Sequence, residues 1–108
     1  MCIRDRVSVE RGQKIGYVTD VRDTPANRAG IVDLCGGADT LFIEASFAAA
    51  DAALAADRGH LTTQAAGEIA RAAGVRRVEP FHFSPRYEGA EAALMGEVEA
   101  AFRGLGGG

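Results

Sequence analysis

The run Phe81-His82-Phe83-Ser84-Pro85-Arg86-Tyr87 places an imidazole, a hydroxyl and a guanidinium within seven residues. Those groups suit a phosphodiester site. Imidazole binds metal ions or moves protons, and guanidinium offers a planar fork of N–H donors to phosphate oxygens. Three further side chains belong to the same inventory: Asp20, Glu44 and His60. On residue type alone each has a plainer reading. Asp20 follows an apolar run and fits a turn aspartate bonded to nearby amides, and His60 fits a solvated loop histidine. Between two phenylalanines, His82 fits a satisfied core side chain as well as a ligand. Ser84 fits a loop hydrogen bond, and Arg86 a solvated arginine.

The elements that must position these groups are read from periodicity and stop signals. Val7 to Glu10 and Lys14 to Val21 are β-prone runs around Arg11-Gly12-Gln13, which predicts a hairpin whose second strand ends near Asp20. Thr24-Pro25 is an N-cap with proline at the first helical position, and Gly36-Gly37 is a stop, so a helix lies between them with Ile31, Leu34 and Cys35 inward. Thr40 to Glu44 is short enough for a buried strand. Ser46 then caps an alanine-rich helix over Phe47 to Asp57, and Arg58-Gly59-His60-Leu61 loops into a helix capped by Thr62 or Thr63. In that helix Ala66, Ile69, Ala70 and Ala73 share a face, and Gly74 ends it. Val75 to Phe83 is the last strand, with Pro80 marking an edge or a bulge. Leu94, Met95, Val98 and Phe102 mark one side of a terminal helix, and residues 104–108 read as a flexible tail. The order is mixed α/β, with helices available to cover one face of a sheet.

At 108 residues the chain is one small domain with a modest core. It is 47% hydrophobic and 25% charged, and no apolar run approaches the ~20 residues that cross a bilayer. A net charge of −3 argues against a wholly basic nucleic-acid binder, although eleven arginines against one lysine could still gather on one face. Cys2 and Cys35 form no CxxC pair and are too few for a disulfide scaffold, which points to a reducing, cytoplasmic compartment without membrane attachment. Residues 1–6 have no apolar signal core and read as a non-native scar.

The wording HFSPRY resembles the last metal-ligand motif of the ribonuclease Z family, zinc-dependent phosphodiesterases of the metallo-β-lactamase fold that trim precursor tRNA 3′ ends. Gly16-Tyr17-Val18-Thr19-Asp20, Ile43-Glu44-Ala45-Ser46-Phe47 and Gly59-His60-Leu61-Thr62 match further family segments in the same order. The resemblance spans roughly Val7 to Phe102. It implies that residues 7–103 are the C-terminal half of an αββα sandwich. It also implies that Asp20 bridges two zinc ions, that His82 is the final zinc histidine, and that Ser84 and Arg86 contact substrate phosphate. His60 would protonate the leaving group, with Glu44 orienting it and favouring its imidazolium form. The sequence departs from the family at Ile43, commonly histidine, and at Leu61, commonly a small hydroxyl residue. A dinuclear zinc site in this fold takes about seven ligand side chains, and the histidine-rich HxHxDH motif is absent here. The resemblance therefore implies a piece of a tRNA 3′-processing endonuclease that is inactive alone and needs its N-terminal half. The competing expectations are another hydrolase of the same fold, arylsulfatase-like or acting on a small phosphodiester, and a non-catalytic half-domain that associates with another chain, including a second copy of itself.

Overall fold

In the computed structural model, which describes residues 7–10 and 14–104, four strands form one sheet in the order β1-β2-β3-β4. β1 (Val7–Glu10) pairs antiparallel with β2 (Ile15–Val18), whereas β2, β3 (Thr40–Glu44) and β4 (Arg77–Phe81) run parallel. Parallel neighbours need crossover connections. α1 (Pro25–Cys35) links β2 to β3, and α2 (Ala52–Arg58) with α3 (Thr63–Ala73) links β3 to β4. α4 (Glu91–Phe102) closes the described chain and packs along α3. The expected hairpin loop 11–13, the residues 1–6 and, of the expected tail 104–108, residues 105–108 lie outside the described residues. Among the described residues no helix is long and apolar enough to cross a membrane.

The core lies between the sheet and α1, α3 and α4. Val18, Leu41, Ile43 and Val78 meet Ile31, Cys35, Ile69 and Val98 there, all buried. Burial pushes the Cys35 thiol pKa up, so this cysteine behaves as an apolar filler. α1 and α3 are tied at the surface by Arg28, which reaches Asp23 at 2.6 Å and Glu68 at 3.0 Å; the guanidinium holds the Asp23 carboxyl below its ordinary range. The other sheet face carries Tyr17, Phe42 and Phe81, with Tyr17 5.7 Å from Phe42 and 5.0 Å from Phe81 between ring centroids. Tyr17 is 45% exposed.

Several local expectations are corrected. Ser46 does not cap a helix and Phe47 does not begin one. Phe47 instead bridges to Thr62, a 3₁₀ turn occupies Ala49–Asp51, and α2 starts at Ala52. The alanine-rich composition gave helix propensity but no start. Phe47 is pinned by non-local bonds, Thr63 N–H donating to its carbonyl at 2.8 Å, and Glu97 accepts from Ala49 N–H at 3.1 Å. β2 ends at Val18 rather than near Asp20, and β4 spans Arg77–Phe81 rather than 75–83, with Pro80 on the edge strand. On α4, Leu94, Val98 and Ala101 face inward while Met95 is 47% exposed, because the buried stripe has i, i+4, i+7 spacing from Leu94.

Candidate active site at the carboxyl edge of the sheet

Parallel strands end on the same edge; Glu44 is the last residue of β3, and the loops leaving β2 and β4 carry Asp20 and His82 to that edge. His60 joins them from the loop between α2 and α3. That loop is set by Gly59 in left-handed conformation at φ 74° and by Thr62, whose side chain accepts from Ala65 N–H and caps α3. Among the described residues the non-glycine positions at positive φ are Asp20, at 54°, and His82, at 62°. Both lie just past a strand end. The left-handed turn bends the chain back over the site where a continued strand would carry the side chain away.

Glu44 is the hub. It is fully buried, and a buried carboxylate is costly unless donors surround it. Its Oε1 accepts from Asp20 N–H at 3.0 Å, and its Oε2 accepts from Leu61 N–H at 3.2 Å and from His60 Nδ1 at 2.9 Å. A carboxylate only accepts, so His60 carries its proton on Nδ1 and its Nε2 is left for other work. His82 Nδ1 stands 3.5 Å from Glu44 Oε1 and 3.4 Å from Ser46 Oγ, and the His60 and His82 rings meet edge-on with centroids 6.0 Å apart. One carboxylate therefore gathers Asp20, His60 and His82.

Asp20, Glu44 and His60 present oxygen and nitrogen atoms within 4.8 Å of one another, a group that could hold a metal ion. Glu44 is the poorest ligand of the three, because it is buried and both its oxygens are already engaged. Asp20, by contrast, is exposed, and its two carboxylate oxygens suit a bridging ligand. The donor set fits part of a metal shell, an exposed carboxylate with the His60 imidazole beside it, and His82 lies outside this group.

A cleft of about 250 Å³ opens beside this cluster, lined among others by Phe47, Arg58, His60, His82 and Ser84. Ser84 thus reaches the cleft, and it also accepts from Arg86 N–H at 3.4 Å. After Ser84 the chain makes a 3₁₀ turn, Pro85–Tyr87, and α4 begins only at Glu91. Arg86 does not line the cleft; its guanidinium lies 5.9 Å from the Tyr87 ring centroid, in cation–π range. Tyr87 in turn donates from its hydroxyl to Asp51 and accepts from Ala48 N–H at 3.0 Å, which fixes the loop that carries Phe47. Burial and the Asp51 bond push the Tyr87 phenol pKa up. Sequence reasoning passed over Arg58. Its position two residues before His60 is the signal that could have found it.

A sequence profile described as a Beta-lactamase superfamily domain matches residues 5–83. The chain is 48% identical over 102 residues to ribonuclease Z of Kineococcus radiotolerans, which covers 94% of this chain and 31% of that protein. To ribonuclease BN of Cronobacter sakazakii it is 39% identical over 104 residues, covering 94% and 33%. The crystal structure of the short form of human tRNase Z superposes with a TM-score of 0.64 at 35% identity, covering 74% of this chain and 30% of that one. The metallo-β-lactamase-fold protein YhfI of Bacillus subtilis superposes with a TM-score of 0.71 at 23% identity, covering 85% and 35%, a likeness of fold alone. The chain spans about a third of the length of the curated relatives it matches. With a matching profile over most of its length, an α/β fold shared with these structures and ribonuclease Z proteins as relatives, the chain belongs to the Beta-lactamase superfamily domain family.

Proposed function

We propose that these residues form the C-terminal part of a zinc-dependent phosphodiesterase of ribonuclease Z type, acting in the cytoplasm on the 3′ end of precursor tRNA. Metal ligands from a part of the protein outside these 108 residues would complete the site. The observation that supports this reading best is the buried Glu44 carboxylate, which holds His60 and the backbone of Asp20 with His82 alongside. Asp20 and His82 are the residues that would hold zinc; when bound, the ions would polarise the phosphoryl group and the attacking water. Glu44 fixes the ring of His60 through Nδ1, which leaves Nε2 as the atom to hand a proton to the departing 3′ oxygen. That role needs the doubly protonated ring, with a proton on each nitrogen. Ser84, from the cleft wall, and Arg86, from the loop beyond it, are the proposed phosphate contacts.

The test is a set of variants in the intact enzyme. His60→Ala should keep its zinc and slow turnover about 10²–10⁴-fold, with partial rescue by a substrate whose leaving group needs no proton, such as a p-nitrophenyl diester. Asp20→Ala and His82→Ala should lose zinc and activity together. Equal zinc loss in all three would make His60 a ligand or a support. Full activity of the His60 variant would remove it from the mechanism.

A further inference from the structure

Arg58 is the last residue of α2, where an arginine ordinarily neutralises the helix C-terminal carbonyls. Two of those carbonyls are already served. Ala56 O accepts from Arg22 Nη1 at 2.6 Å, and Ala55 O accepts from His60 N–H at 2.9 Å. Gly59 N–H also turns back onto this last turn. Among the described residues Arg58 makes no ion pair and no side-chain hydrogen bond, yet it lines the same cleft as His60, His82 and Ser84. It is the one guanidinium in that lining among the described residues.

The surroundings give a cation there a purpose. The carboxylates of Glu44 and Asp20 stand within 4.8 Å of His60 in the cleft wall, so an anion entering the cleft meets repulsion that a cation at the wall offsets. Arginine suits this task, because its fork of N–H donors matches a pair of phosphate oxygens and its charge does not depend on pH. We propose that Arg58 is the anion-binding residue of the cleft, gripping a non-bridging oxygen of a phosphodiester monoanion and selecting such esters over neutral ones. The inference rests on the phosphodiesterase reading above for its substrate class, and on the geometry for its residue.

The test uses two probes of similar shape, dimethyl phosphate, a monoanion, and trimethyl phosphate, which is neutral. Each is titrated into the 108-residue chain while the His60 and His82 ring resonances are monitored by NMR. Dimethyl phosphate should shift both rings saturably and trimethyl phosphate should not. Arg58→Ala should weaken the binding by about tenfold or more, with Arg58→Lys between it and the wild type. Arg58 is exposed at a helix end, and unchanged melting of each variant would separate loss of the site from loss of the fold. The proposal is overturned if the wild-type chain shows no saturable shift, if Arg58→Ala titrates like the wild type, or if trimethyl phosphate shifts the rings equally. Failure of the phosphodiesterase reading looks different: the intact enzyme would leave diesters uncleaved while Arg58-dependent binding of dimethyl phosphate persisted.

Discussion

Asp20 and His82 hold backbone conformations, φ 54° and 62°, that cost an L-residue about 1–2 kcal/mol. Aspartate and histidine are among the side chains that tolerate this region best, but glycine avoids the cost altogether. At either position the glycine variant should therefore be more stable than the alanine variant by about 1 kcal/mol in urea unfolding. Neither variant should hold metal in the intact enzyme. Equal stability of the two variants would mean that these turns carry no strain. The sequence pointed to both residues through their motifs, yet nothing in GYVTD or HFSPRY announced positive φ. Nor did it announce that Glu44 is fully buried, because that depends on β3 lying between β2 and β4, a pairing of distant segments. Arg58 escaped notice for the same reason: its cleft is made of loops from distant parts of the chain.

The elements are legible where local signals and packing agree. Thr24-Pro25 caps α1 as its residue types require, Thr24 accepting from Asn27 N–H, and the inward stripe of α3 is the one its spacing predicts. Where a start depends on distant partners, as for Phe47 and α2, propensity gave the right kind of element and the wrong boundary. Gly67 shows what spacing cannot reveal. A Cβ there would stand 2.5 Å from Val98 O and 2.6 Å from Ala101 Cβ, so α3 and α4 approach as closely as they do because this residue has no side chain. Gly67→Ala should destabilise the fold by about 1–3 kcal/mol, despite alanine's better helix propensity, as α4 is pushed off α3. Chemical denaturation measures this directly, and a stabilised variant would show that the helices can part without loss. The displaced α4 would also disturb Glu97, which accepts from Thr63 Oγ1 at 2.5 Å and from Ala49 N–H at 3.1 Å beside the site.

Taken whole, the described residues form one sheet with helices on one face and the aromatic trio Tyr17, Phe42 and Phe81 on the other. A partly exposed aromatic face on a sheet is suited to packing against another layer. Relatives about three times as long supply a natural source for that layer, and the metal donors gathered here are fewer than the about seven side chains of a dinuclear site. The proposed function accordingly needs ligands from outside these 108 residues to complete the centre. The measurement that tests this most directly is zinc titration, with phosphodiester turnover, of the 108-residue chain beside the intact enzyme. The chain alone should bind zinc weakly and turn over little substrate, while the intact enzyme should hold two ions and cleave. Tight, stoichiometric zinc in the 108-residue chain alone would contradict the account.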